Sequence, residues 1–454
     1  MPDPTPNPIN RPPRYAVEIW RCCSTQEFLL KSASLPNKPH RDPMTTHDER
    51  QRMMLAVLYV LLFVAVVPKA IGALTEMRQL ESEFRFNDAF ETNILTNSVR
   101  YGGVILGSLI EWVITTLSDG LDIVRDSMQD PDQYVPPRSS VPELNHFLAS
   151  LVYRFLVLLP LLVVAVRWVR PVWAGALFLA LMFATIGGFG AAHEFLARTL
   201  YWAILPKMTL YFFDLRQGTY YVDFLAMGFL PLLALELERG IERPWRLLAL
   251  TAFGQLSYEH FGFVCGVAGA VFMLLRGPGT DLAARARRAV ALLAVTGLIS
   301  LAVIAVLLLP GVLERGFLTF VSGNGSGWEG FIEEASANRA NWKHVIARLA
   351  YFLAPAFLVG AALGLSVALR SESIPEAVAR QRLAAVAAVL TGFTGAVLIG
   401  FFALTNFSAE MGREFLQAVP LVFLFGFQAA YLGGLRLRTV ARMVPPTTAG
   451  TLPS

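Results

Sequence analysis

The chain has 454 residues, of which 55% are hydrophobic and 16% are charged, and its formal net charge is +4. Soluble domains carry about 25% charged residues, so this composition excludes an ordinary soluble protein and indicates an all-α polytopic membrane protein. The small positive charge fits basic loops at a membrane surface and gives no reason to expect nucleic acid as a partner. The three cysteines, Cys22, Cys23 and Cys265, form neither a disulfide framework nor a metal-binding spacing.

The N-terminal stretch, residues 1–43, is rich in proline, and we expect it to be disordered or to be an upstream extension. Met44 lies just before the first apolar run and is an alternative start. No basic region, apolar run and cleavage site follow one another in signal-peptide order.

A single transmembrane domain is predicted over residues 44–434, followed by a cytoplasmic tail at 435–454. A helix needs about 20 residues to cross a hydrocarbon core of about 30 Å, and the apolar runs predict about ten spans. The predicted spans are 53–74, 147–167, 172–190, 219–237, a pair within 247–276, 289–310, 345–369, 384–405 and 415–434. The first two enclose a long extracytoplasmic loop, 75–146, in which the semi-apolar segment 102–117 is expected to form an interfacial helix.

The stretch 247–276 is too long for one pass and short for two, and arginines flank it on both sides. Basic residues cluster on the cytoplasmic side, so both ends of the stretch are expected there. The stretch must then double back, either as two short helices or as a re-entrant hairpin, with Tyr258, Glu259 and His260 at its tip. Ionisable residues at such depth line a cavity or take part in chemistry. The alternative is a hairpin corner whose polar residues reach headgroup water.

The distribution of basic residues supports this topology. With both termini in the cytoplasm, the inside segments hold 15 Lys and Arg in 60 residues, and the short outside segments hold 7 in 77. The predicted location is the inner (cytoplasmic) membrane, with the elaborate polar loops on the outer face.

Two groups of outer residues suggest chemistry. Asp88 and Glu91 are three residues apart, so on a helix they share a face, and a carboxylate there can take a proton from a hydroxyl. The alternative for this pair is a solvated helix surface. Arg315 and Arg413 lie beside span ends and suit a lipid-linked phosphate, which guanidinium groups bind in bidentate fashion. The alternative for these two arginines is that their side chains snorkel to the lipid headgroups.

Arg198 and Trp328 belong to further outer loops and are candidate substrate contacts, as is His260 at the hairpin tip. Arg154 lies inside the second predicted span. It is expected to face the interior of the bundle or to pair with an acid such as Asp223 or Glu259.

Four short segments occur in an order that resembles the bacterial GT-C membrane glycosyltransferases: FNDAFETN, SYEHFG, LPGVLER and AEMGREF. The resemblance implies a polyprenyl-phosphate sugar as donor and an envelope glycan or lipid as acceptor. It implies that Asp88 is the catalytic base, with Glu91 as its substitute and Glu259 as the mid-chain acid. It also implies that Arg315 and Arg413 contact the lipid phosphate. No cofactor is expected, and a requirement for a divalent metal is left open.

Two other classes remain open from the sequence. A transporter or lipid flippase would also place charged residues in mid-membrane, at an interface between repeats, although no clear halves are visible. A non-catalytic membrane assembly subunit is the third possibility.

Overall fold

The computed structural model describes residues 46–75, 106–107, 109–118, 142–186, 221–241, 243–258, 260–277, 281–315, 342–370, 374–403 and 407–443. Every regular element in these ranges is an α-helix, as the composition predicts. The chain divides into two units, Met1–Gln51 and Arg52–Ser454, and the packing described below belongs to the second.

Ten helices of 14 residues or more occur in the described ranges. They are α1 (Thr46–Thr75), α2 (Pro142–Arg167), α3 (Val172–Ile186), α4 (Tyr221–Glu238), α5 (Pro244–Ser257), α6 (Phe261–Arg276), α7 (Leu282–Arg315), α8 (Trp342–Arg370), α9 (Glu376–Ala403) and α10 (Phe407–Met443). Each predicted apolar segment coincides with one helix, except that 247–276 is divided between α5 and α6. Of the segment 102–117 the structure describes residues 106–107 and 109–117, all of them helical.

Six of these helices are long and apolar enough to cross a membrane: α1, α2, α7, α8, α9 and α10. Helices α5 and α6, with 14 and 16 residues, are shorter than the 20 residues or so that a crossing needs. Helix α4 has 18 residues and carries three acidic ones, Asp223, Glu236 and Glu238. Helix α3 is described over 15 residues. The chain is therefore a multi-helix membrane protein with six candidate spans in its described part.

Helices α5 and α6 form an antiparallel hairpin, which confirms the prediction that 247–276 doubles back. A methyl group at Gly269 would lie 2.9 Å from a methyl carbon of Leu247, near the open end of the hairpin. Thr251 lies beside the buried Cys265 halfway along, and its hydroxyl donates a hydrogen bond to the Leu247 carbonyl at 2.8 Å. Gly262 lies against the Gln255 side chain near the tip. Cys265 is thus a packed small residue, as its apolar surroundings in the sequence suggest.

Helix α6 also packs antiparallel to α7, and glycine sets the spacing. Gly262 faces Ser300, Gly266 lies against Thr296, and Gly269 would bring a methyl group to 2.9 Å from Leu292. Small residues let helix backbones approach closely where there is no water to drive association. The hairpin is therefore fixed in depth relative to the long span α7.

Helices α2 and α4 run parallel, with a constant offset between contacting positions. The Arg154 guanidinium lies over the Phe224 ring. One turn further along, Gly228 lies directly against the Val157 carbonyl oxygen. At the far end Trp168, just after α2, contacts Glu238, the last residue of α4.

Helices α8 and α10 are also parallel, and their backbones approach at three glycines. Gly360 and Gly364 lie against the Phe423 and Phe427 carbonyls, and Gly426 lies against the Phe357 carbonyl. The G-x-x-x-G spacing on α8 is the pattern that allows such close approach in membranes.

Candidate functional site

The helix registers define two ends of the bundle, which we call the arginine end and the tip end. At the arginine end α2 and α4 finish and α9 begins, because Trp168, Glu238 and Arg382 meet there. At the tip end lies the turn of the α5–α6 hairpin, Tyr258–His260. The two ends are well separated on α9: the ring of His260 lies 6.1 Å from that of Phe393, which is eleven residues, or about 16 Å, beyond Arg382.

The backbone places two further predicted positions at the tip end. Because α6 and α7 are antiparallel and Gly262 faces Ser300, α7 continues past the tip to Arg315. Tyr431 of α10 bonds to Ile374 at the arginine end, so α10 begins, with Phe407 and then Arg413, at the other end. The hairpin tip, the end of α7 and the start of α10 therefore share one end of the bundle.

The hairpin tip lies well short of the end of α7. It is level with Ser300, and α7 continues for fifteen more residues to Arg315. Fifteen helical residues make about 22 Å along the helix axis. The expectation of a re-entrant hairpin at the floor of a site stays a prediction.

The tip is surrounded by aromatic rings. His260 precedes the first residue of α6, and its half-buried imidazole lies 4.4 Å from the Tyr258 ring and 5.3 Å from the Phe261 ring. Phe261 in turn stacks on Phe229 of α4 at 4.8 Å and 7°. An imidazole has one donor and one acceptor when neutral, so His260 can both hydrogen-bond a hydroxyl and be oriented by its neighbours.

Arg154 carries a buried charge in the tip half of the bundle. It is completely buried on α2, and its guanidinium carbon lies 4.8 Å from the centre of the Phe224 ring, close to the start of α4. The prediction that Arg154 faces the interior of the bundle is confirmed. A charge at this depth is costly and marks a candidate functional site by default.

Several predicted site residues lie outside the described residues. These are Asp88, Glu91, Arg198, Glu259 and Trp328. Arg315 and Arg413 lie in described helices, as the last residue of α7 and near the start of α10, but their side chains are outside the description. The catalytic assignments therefore stay predictions, and His260 is the predicted substrate contact whose side chain is described.

The arginine end holds a charged cluster that the sequence analysis missed. The Glu238 carboxylate accepts hydrogen bonds from Trp168 Nε1 at 2.8 Å and from Arg382 Nε at 2.7 Å. Arg167 Nη2 lies 3.8 Å from the same carboxylate. The Gln381 side chain donates to the Glu238 backbone carbonyl, which closes the end of α4.

Beside this cluster is a cavity of about 650 Å³ with four arginines in its wall. The arginines are Arg52, Arg167, Arg170 and Arg382, and the apolar wall is formed by Ala56, Leu162, Val163, Val166, Ile374, Pro375 and Val378. Sequence reasoning took these loops as generically basic. One sequence signal could have revealed the cluster. It is the glutamate Glu238, which stands at the end of an apolar span beside an otherwise basic loop.

Among the described residues no group of three or more His, Cys, Asp or Glu side chains is arranged to hold a metal ion. No family model, no curated protein and no solved structure matches the chain.

Proposed function

We propose that this protein is a membrane glycosyltransferase that moves a sugar from a polyprenyl-phosphate donor to an envelope glycan or lipid acceptor at the extracytoplasmic face. The observation that carries the proposal is the common location of the hairpin tip, the end of α7 and the start of α10. Arg315 and Arg413, the proposed phosphate contacts, belong to these helix ends.

The proposed topology has about ten spans, counting the hairpin as a pair, with both termini in the cytoplasm. Loop arginines concentrate at the arginine end, and basic loops favour the cytoplasmic side. The tip end then faces outward, where the long loop 75–146 with Asp88 and Glu91 is also expected. A reporter fused after Gly262 is expected to read as extracytoplasmic, and a cytoplasmic reading would overturn this topology.

The proposed chemistry is attack of an acceptor hydroxyl on the anomeric carbon of the donor. The base, Asp88 with Glu91 and Glu259 as alternatives, takes the hydroxyl proton while the new carbon–oxygen bond forms. The bond from the anomeric carbon to the phosphate oxygen breaks, and polyprenyl phosphate leaves. Arg315 and Arg413 would stabilise the charge on the leaving phosphate, because guanidinium groups pair with phosphate oxygens in bidentate fashion. Arg198, His260 and Trp328 would contact the substrates.

The first test concerns the base. Deletion cells are compared with wild-type cells for a glycosylated envelope product that is missing from lipid and glycan extracts, and variants are then reintroduced. We expect Asp88→Asn to lower product formation by about 10²–10⁴-fold, which is the usual contribution of positioned base catalysis. Activity in Asp88→Asn and Glu91→Gln with loss in Glu259→Gln would move the base to the hairpin. Full activity in all three variants would overturn the proposal in favour of transport.

The second test concerns the phosphate site. Arg315→Ala and Arg413→Ala are expected to weaken donor use, and lysine at either position is expected to restore it only in part, because an ammonium group cannot make the bidentate contact. Arg436→Ala, on the exposed surface at the opposite end of α10, is the matched control and should leave donor use unchanged. Full activity of the double alanine variant would contradict this assignment.

A further inference from the structure

The cavity at the arginine end combines strong positive charge with apolar walls. Four guanidinium groups line it, and the Glu238 carboxylate pairs with two of them, Arg167 at 3.8 Å and Arg382 at 2.7 Å. Guanidinium groups gathered in this way favour an anion with several oxygens, of which phosphate is the commonest in a membrane.

One of these arginines, Arg382, has a buried nitrogen for which no hydrogen-bond partner is seen among the described residues. The Arg382 side chain is 10% exposed, and its Nε is bonded to Glu238. Its Nη1 is buried and has no hydrogen-bond partner within the described part of the chain. A buried donor without a partner costs about 1–3 kcal/mol, more for a charged group, and this side chain belongs to the wall of the cavity.

The cavity lies where membrane-spanning segments end. Arg52 is near the start of the candidate span of α1, Arg167 is the last residue of that of α2, and Arg382 is near the start of that of α9. Most of the apolar wall comes from the same spans, and Val163 in it is 38% exposed. A ligand here meets charge at its head and hydrocarbon below, which is the layout of a lipid at the membrane boundary.

We propose that this cavity binds the phosphate headgroup of an anionic glycerophospholipid, with the upper part of an acyl chain against Val163 and Val166. Basic pockets between membrane helices hold such headgroups. The volume of about 650 Å³ is within the usual range of 300–1,000 Å³ for small-ligand sites. The site is at the opposite end of the bundle from the hairpin tip, so it is independent of the proposed transferase chemistry.

The test uses the full chain in nanodiscs of phosphatidylcholine, with and without phosphatidylglycerol. Thermal unfolding is measured in both, and native mass spectrometry counts the lipids that remain bound. We expect phosphatidylglycerol to raise the unfolding midpoint of the wild type, because a ligand that binds the folded state stabilises it. The double variant Arg167→Gln/Arg170→Gln should bind phosphatidylglycerol about 25-fold more weakly, or roughly fivefold for each arginine removed.

The matched control is Arg276→Gln/Arg370→Gln. Both arginines are exposed in the last turns of their helices at the same end of the bundle, and neither lines the cavity. The control removes the same charge and should keep the lipid effect of the wild type. An equal loss in both double variants would show diffuse surface attraction and overturn the proposal.

A third arm separates the lipid from free phosphate. Inorganic phosphate is added to the wild type in phosphatidylcholine nanodiscs, where we expect no shift of the unfolding midpoint. A shift that disappears in Arg167→Gln/Arg170→Gln would make a soluble phosphate the ligand and overturn the lipid assignment. No effect of either phosphatidylglycerol or phosphate would overturn the site itself.

Discussion

The helices are joined by different kinds of contact at the two ends of the bundle. The arginine end joins α2, α4 and α9 through hydrogen bonds to one buried carboxylate, Glu238. The tip end joins α4, α5, α6 and α7 through glycines, aromatic rings and neutral polar groups such as Gln255 and Ser300. The arginine end therefore depends on a buried ion pair, and the tip end depends on close packing of helix backbones.

Buried charge and close backbone packing have different physical requirements. A charged side chain near a helix end can reach interfacial water, whereas a charge in the hydrocarbon must be buried against protein. Close backbone packing needs no polar partner, so glycine contacts can hold the short hairpin against α7. Removing charge should therefore be most harmful at the arginine end, and adding volume should be most harmful at the tip.

The largest effect is expected from Glu238→Ala. This substitution leaves Arg382 buried without its carboxylate partner and should lower the free energy of unfolding by about 3–5 kcal/mol. The control, Glu236→Ala, removes ion pairs to Arg239 and Arg246 that are partly exposed, and should cost about 0–1 kcal/mol. Both values are measured by denaturant titration in bicelles. Equal losses in the two variants would contradict the difference between buried and exposed charge.

An intermediate effect is expected from Gly262→Ala at the hairpin. The added methyl group would press on the Gln255 and Ser300 side chains, and overpacking of this kind costs about 1–3 kcal/mol. Gly297→Ala, on α7, is the control, because a methyl group there meets no described atom within 4 Å. It should be neutral or gain up to about 1 kcal/mol from helix propensity. The same titration checks both, and a tolerated Gly262→Ala would contradict the close hairpin packing.

The smallest effects are expected from two tyrosine hydroxyls. At the arginine end, Tyr431 Oη accepts from the Ile374 backbone N–H at 3.0 Å and donates to the Ile374 carbonyl at 2.9 Å. In the tip half, Tyr59 Oη donates to the Phe155 carbonyl at 2.9 Å. Tyr431→Phe should cost about 1–2 kcal/mol and Tyr59→Phe about 1 kcal/mol, since a net hydrogen bond contributes about 1 kcal/mol. If Tyr59→Phe cost more stability than Tyr431→Phe, the second hydrogen bond of Tyr431 would add nothing to the stability of the fold.

The sequence predicted the helices well because apolar runs and arginine flanks are local signals. Both the turn at Tyr258–His260 and the inward orientation of Arg154 followed from where charge can lie in a membrane. The glutamate cluster did not follow, because Trp168, Glu238 and Arg382 are far apart in the chain and meet only through the packing of α4 against both α2 and α9.

The number of membrane crossings shows a second limit of prediction from apolar segments. Composition marks apolar segments but does not say how deep a short helix goes. The six candidate spans and the short hairpin of α5 and α6 are read from lengths and registers. The proposed catalytic residues, Asp88 above all, lie in loop segments outside the described residues, where apolar periodicity gives no guide to position.

The parallel contact of α8 with α10 has a consequence for biogenesis. Gly360 and Gly364 on α8 are covered by the Phe423 and Phe427 backbone, which the ribosome makes about 60 residues later. Until α9 has returned the chain across the bilayer and α10 has followed, the glycine face of α8 must contact lipid or an insertion factor. Assembly of this pair is thus a late event in synthesis, and a ribosome stalled between α9 and α10 should yield an intermediate open to intramembrane quality control.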